Sequence, residues 1–266
     1  MFKVNGTPIK IERYPDETLR LSIAAPSGEA VIEWLYEKDE EMVLFFIAKH
    51  LKEHGTKRIT LYMPYIPHAR MDRVKSDTEV FTLKYFAEFI NSLSFDKVIV
   101  RDAHSSISLS MINNVVEEPI NENIKRLICK LLKPEKDIVF YPDEGSFKRY
   151  SKLIEFPSAY GVKNRNWQTG QILGLDINGN LPAQPFNVLI IDDISSYGGT
   201  FLHSAKKLKE SGADKIYLYI THCENSILKG ELINCGLIEK IYTTKSIYIG
   251  ERPLIEIMGG NQNEKL

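Results

Sequence analysis

The run NVLIIDDISSYGGT at residues 187–200, followed at once by FLHSAKKLKESGADKIYLYITH, constrains this chain more than any other segment. Val188, Leu189, Ile190 and Ile191 read as a buried strand, because they are uniformly aliphatic and end abruptly at a charged pair. Asp192 and Asp193 then stand at the strand's carboxyl end. Ser195, Ser196, Tyr197 and Thr200 supply hydroxyls, and Gly198 and Gly199 lead into a helix with an apolar face of Phe201, Leu202, Ala205 and Leu208. Ser211 and Gly212 close that helix, and a second strand starts at Lys215. A strand, a glycine- and hydroxyl-rich turn and a helix N-terminus aim unpaired N–H groups and a positive dipole end at one point, which makes an anion cradle. Two adjacent carboxylates beside such a cradle suit sugar hydroxyls or a hydrated divalent cation. The segment therefore implies a phosphorylated sugar as ligand.

A chain of 266 residues has room for two modest domains. A net charge of −1 gives no global pull toward nucleic acid or a membrane surface. No apolar run reaches membrane-spanning length, and the N-terminal MFKVNGTPIKIERYPDE has no signal-like apolar core. Cys129, Cys223 and Cys235 lack any paired or zinc-like spacing, which fits a reducing, cytoplasmic setting. Cys129 lies in an apolar helical run and reads as a small core residue.

Strands and helices alternate along most of the chain, the pattern of α/β layers around mainly parallel sheets. Strands are expected at residues 30–35, 58–63, 97–100, 137–141 and 188–191. Helices are expected at 40–53, 78–93, 120–132 and 146–153. In the first helix Met42, Val43, Phe46 and Leu51 are read as inward, and in the second Phe81, Tyr85, Phe89 and Ile90. Pro134 and its charged neighbours interrupt the pattern, so the division is placed there, giving domains at 1–134 and 135–266. Residues 160–183, with Gly161, Gly170, Gly174, Gly179 and Pro182, read as a long loop of the kind that serves as a lid.

Ligands of open α/β sheets bind beyond the carboxyl ends of the strands. Four such ends here carry chemically useful loops. PYIPHARMDR holds Arg70, Asp72 and Arg73; RDAHSS holds Asp102 and His104; PDEGSFKR holds Asp143 and Glu144; the cradle is the fourth. Cations, carboxylates and a histidine together suit phosphates, a sugar and a divalent ion.

With these residues in view, the chain resembles the ribose-phosphate pyrophosphokinases, and more loosely the type I phosphoribosyltransferases, from about Tyr14 to Ile247. VLIIDDISSYGGT suits either group, whereas PYIPHARMDR, RDAHSS and VKNR are particular to the first. The resemblance implies two phosphoribosyltransferase-like (Rossmann-like) domains, each a mainly parallel sheet flanked by helices. It implies transfer of the pyrophosphoryl group of ATP to the 1-hydroxyl of ribose 5-phosphate, with Mg²⁺, in a homo-oligomer. Tyr14, Asp16, Arg70, Asp72 and His104 are implied to bind ATP in the N-terminal half. Asp192, Asp193, Ser196, Tyr197, Gly198, Gly199 and Thr200 are implied to hold ribose 5-phosphate. His104 and Asp143 are implied metal contacts, and Lys163 and Arg165 the catalytic cations. The chain departs from the pattern at Thr18, Met71, Asn164, Ser196 and Tyr197.

Each of these residues also has a plainer role open to it. Asp192, Asp193 and Asp143 can cap turns; His104 and Tyr14 can be packing residues; Lys163 and Arg165 can be solvated cations. His68, His203 and His222 have no evident acidic partner in sequence and are read as structural, and Lys206, Lys207 and Lys209 as the wet face of a helix. A phosphoribosyltransferase and a catalytically silent, regulatory paralogue of the pyrophosphokinases remain alternatives.

Overall fold

Alternating apolar strands and amphipathic helices build two compact units, Met1–Pro119 and a second beginning at Ile120. The computed structural model describes residues 1–38, 40–165 and 172–259, without the side chains of residues 163–165, 172 and 173.

The first unit contains strands β1 (Phe2–Val4), β2 (Thr7–Pro8), β3 (Ile11–Arg13), β4 (Leu19–Leu21), β5 (Glu29–Trp34), β6 (Arg58–Tyr62), β7 (Lys97–Arg101) and β8 (Val115–Glu118). Helices α1 (Glu41–Glu53), α2 (Thr82–Ser92) and α3 (Ser106–Met111) connect them. Its main sheet has the order β2-β1-β5-β6-β7-β8, with β3 and β4 forming a separate hairpin. From β5 to β8 the pairing is parallel, with Ile32 opposite Leu61 and Leu61 opposite Val98. Ile32, Trp34, Leu61, Val98 and Val100 share one core with Leu44, Ile47, Leu83, Phe86 and Ile90 of the helices.

The second unit opens with α4 (Asn121–Leu131) and continues through β9 (Ile138–Tyr141), α5 (Glu144–Tyr150), β10 (Ser158–Arg165), β11 (Ile172–Asn178), β12 (Phe186–Ser195), α6 (Gly199–Glu210), β13 (Ala213–Cys223), β14 (Lys240–Thr244) and β15 (Ile255–Met258). The sheet order is β11-β10-β9-β12-β13-β14-β15, and among the described residues only the β10–β11 pair is antiparallel. Both faces of this sheet are covered. Val188 and Ile190 pack with Phe201, Ala205 and Leu208 of α6, while Leu189 and Ile191 pack with Leu127 of α4 and Tyr150 of α5. A parallel strand buried on both faces has no polar face to alternate with, hence the unbroken VLII run.

Several expectations are corrected here. The chain divides ahead of α4 rather than behind it, because Ile124, Leu127 and Ile128 bury against Val139 and Tyr141 of the second unit. Of residues 160–183, read as a long loop, 160–165 and 172–178 instead belong to the paired antiparallel strands β10 and β11, with Lys163 opposite Leu175, and Leu175 and Ile177 packed on the core, while 166–171 lie outside the described residues. In α1 the buried stripe is Val43, Leu44, Ile47, Ala48 and Leu51, which leaves Met42 and Phe46 exposed. In α2, Tyr85 is exposed for the same reason of helical phase. Cys129 is exposed too, since Ile124, Leu127 and Ile128 set the inward face of α4. Among the described residues no helix is long and apolar enough to cross a membrane.

Candidate active site

Most of the sequence candidates in the second unit lie at the carboxyl end of β12. The strand runs past Ile191 to Ser195, with Asp192 opposite Ile220 and Ser195 opposite Cys223. The acidic pair is thus part of the strand, and its alternation points Asp192 and Asp193 to opposite faces. Asp193 is buried and paired with Arg149 of α5, Nη1 to Oδ2 at 3.2 Å. Arg149 was not a sequence candidate; its only signal is the basic pair Lys148–Arg149 closing the helix after PDEG.

Asp192 is held well above the usual carboxylate range, first by burial, then by the charges of Asp193 and Asp143. The backbone N–H of Asp193 donates to Asp192 Oδ1 at 3.0 Å and offsets part of this. Asp143 caps α5: its Oδ1 accepts from the N–H groups of Gly145 at 3.0 Å and Ser146 at 3.1 Å. Its capping role therefore holds, alongside an electrostatic one at Asp192. Among the described residues no three acidic, histidine or cysteine side chains converge into a ready-made metal cage. Mutually repelling carboxylates still fit Mg²⁺, a hard cation that commonly keeps its waters and takes one or two carboxylates plus substrate oxygens.

Beyond β12, Ser195 is buried and its Oγ donates to the Ser196 carbonyl at 3.3 Å. Ser196 is half-buried and Tyr197 exposed. Gly198 takes a left-handed conformation, φ 82°, and starts α6 without any side-chain cap. The first-turn N–H groups at Gly199 and Thr200 have no carbonyl one turn back to bond, so they are available to an anion. Seven sequence candidates, Asp192, Asp193, Ser196, Tyr197, Gly198, Gly199 and Thr200, thus fall on one continuous strand end and helix start. Lys163 and Arg165 lie on β10, two strands from β12, and their side chains lie outside the described part.

In the first unit, the start of the loop after β6 is tied to β7 by backbone hydrogen bonds. Met63 donates to the Ile99 carbonyl at 2.8 Å, and Arg101 to the Pro64 carbonyl at 3.0 Å. Ile66 and Ala69 anchor the first loop in the core and leave Arg70 exposed; Asp72 is buried and accepts from Arg73 Nε at 3.1 Å. His68 has Glu41 at 3.9 Å, a partner distant in sequence. In the second loop Asp102 is buried at φ 44°, a strained conformation for a residue with a side chain. The next N–H, Ala103, donates to Glu117 Oε1 at 2.7 Å. Arg101, also buried, donates to Glu118 Oε2 at 2.7 and 3.0 Å and to the Tyr62 hydroxyl at 2.8 Å. These contacts with β8 and with Tyr62 of β6, none of them legible in the sequence, fix the turn that presents the half-buried His104.

Tyr14 and Asp16 stand apart, at the exposed tip of the β3–β4 hairpin. Asp16 Oδ1 accepts from the N–H of Thr18 at 3.1 Å and its hydroxyl at 2.6 Å, which lowers the Asp16 pKa. Thr18 is thus part of the turn that holds Asp16.

No protein-family model matches the chain. It is 25% identical over 224 residues to the ribose-phosphate pyrophosphokinase of Pyrococcus furiosus, across 81% of this chain and 78% of that one. It is 30% identical over 227 residues to the ribose-phosphate pyrophosphokinase of Sulfurisphaera tokodaii, across 82% and 76%. The chain belongs to the ribose-phosphate pyrophosphokinase family. The fold agrees: phosphoribosylpyrophosphate synthetase from Mycobacterium smegmatis superposes with a TM-score of 0.77 at 18% identity, over 94% of this chain and 85% of that one. The family member described here keeps that fold while carrying Ser196 and Tyr197 in its cradle.

Proposed function

We propose that this member of the family transfers the pyrophosphoryl group of ATP to the 1-hydroxyl of ribose 5-phosphate. The 1-oxygen attacks the β-phosphorus and loses its proton, and the bond from that phosphorus to the bridging oxygen of AMP breaks. The products are 5-phosphoribosyl 1-diphosphate and AMP. The observation that carries this reading is the uncapped first turn of α6 beside Asp192 and Asp193. It offers N–H donors to a 5-phosphate and acceptors to ribose hydroxyls within one short segment.

Charge accumulates on phosphoryl oxygens during the transfer, so positioning and electrostatic stabilisation supply most of the catalysis. Lys163 and Arg165 are assigned as the cations that meet this charge. Arg70, Asp72 and His104 are assigned to ATP, as are Tyr14 and Asp16 at their hairpin tip. Asp143 and His104 are the assigned metal contacts; bound Mg²⁺ would neutralise phosphate charge and template the in-line geometry. A homo-oligomer acting in the cytoplasm completes the reading.

The test is AMP formation from ATP and Mg²⁺ as a function of added ribose 5-phosphate. Saturable, ribose 5-phosphate-dependent AMP supports the proposal. A folded protein that makes none would leave a silent paralogue as the better description, and base-dependent consumption of 5-phosphoribosyl 1-diphosphate would indicate a phosphoribosyltransferase.

A further inference from the structure

The cradle is backed by a segment that the reaction does not use. After β13 the chain forms two short 3₁₀ turns, Asn225–Lys229 and Glu231–Asn234, joined at Gly230. The segment is tied to β12, since the N–H of Glu224 donates to the Ser195 carbonyl at 2.9 Å. Asn225 holds it from the other side: Nδ2 donates to the Ile247 carbonyl and Oδ1 accepts from the Ile249 N–H, both at 3.1 Å.

Gly230 adopts φ −85° and ψ 162°, extended backbone that any residue tolerates. Its glycine is therefore not needed for conformation. It is needed for space: a Cβ there would lie 1.9 Å from the Tyr197 carbonyl oxygen and 2.8 Å from the carbonyl carbon. Both partners are backbone, so no side-chain rotation relieves the overlap. The next contact is complementary. Leu232, 1% exposed, fills the place a Cβ on Gly198 would take, with its Cδ2 at 2.6 Å from that position. Backbone at Gly230 and side chain at Leu232 thus press on two successive cradle residues, Tyr197 and Gly198, just before the first-turn N–H groups of α6.

We propose that Gly230 and Leu232 are positioning residues for the sugar phosphate, setting where the Tyr197–Gly198 peptide sits and hence where the cradle N–H groups point. This rests on the reading of the cradle as the ribose 5-phosphate site. Any side chain at Gly230 must push the Tyr197 peptide outward by a large part of an ångström, and displacements of that size at a binding site are costly.

Calorimetric binding of ribose 5-phosphate, with ATP binding measured in parallel, tests the proposal without needing turnover. Gly230→Ala should weaken ribose 5-phosphate about tenfold or more and leave ATP within about twofold. Leu232→Val, a milder change that keeps the fold available if Gly230→Ala does not, should weaken ribose 5-phosphate about threefold with the same selectivity. Wild-type ribose 5-phosphate affinity in either folded variant, an equal loss for both ligands, or no ribose 5-phosphate binding by the wild type would overturn it. Wild-type binding without AMP formation would instead count against the proposed activity alone.

Discussion

Arg149 at the end of α5 reaches back to the buried Asp193 on β12, 3.2 Å from Nη1 to Oδ2. It supplies a positive charge beside two adjacent carboxylates. Removing it takes a positive charge away from a buried carboxylate, a change more costly than the pair is stabilising. Arg149→Met is expected to lower unfolding free energy by about 2 kcal/mol. Adding Asp193→Asn should restore part of that loss, which a double-mutant cycle by chemical denaturation measures.

Asp192 yields a prediction with a definite sign. Its pKa is raised in the folded state by burial, then by Asp193 and Asp143. Its protonated form is thus favoured by folding, so this contribution is fully present below the ordinary carboxylate pKa. It is lost as pH rises through the raised value. Asp192→Asn should therefore raise Tm at neutral pH, with the gain shrinking toward acid, while AMP formation collapses. A fall in Tm at neutral pH would show that the carboxylate is compensated rather than penalised.

Magnesium should act on the same cluster. If the cation relieves repulsion among these carboxylates, Mg²⁺ raises the wild-type Tm in a concentration-dependent way. The shift should be smaller in Asp192→Asn.

The contact between Glu117 and the Ala103 N–H holds a strained turn at Asp102, φ 44°. Glu117→Ala should cost about 1 kcal/mol in stability. Its clearer effect should be a rise in KM for ATP without a matching rise for ribose 5-phosphate, read from steady-state kinetics.

Much of this was readable in the residues, and the failures have physical causes. The VLII run announced a buried strand, and the neighbouring Asp, Gly and hydroxyl residues announced a strand end leading through a tight turn into a helix. The β10–β11 hairpin was hidden because its glycines and polar residues mask a period-two pattern carried by Leu175 and Ile177. Helical phase at Met42, Phe46 and Cys129 is not legible locally because neighbouring residues are equally apolar, and only the packed face decides between them. Arg149, Glu117 and Glu118 act through contacts with residues distant in sequence, and no local spacing encodes such pairs. Gly230 is subtler still, since its importance is the absence of a side chain opposite a carbonyl that only the fold brings near.

The most direct measurement follows ATP and ribose 5-phosphate with the wild-type enzyme and Mg²⁺ by phosphorus-31 NMR. The account predicts that ATP signals give way to AMP and to a diphosphate on the ribose 1-position, in equal amounts. Release of ADP with a ribose bisphosphate, or of orthophosphate alone, would contradict it.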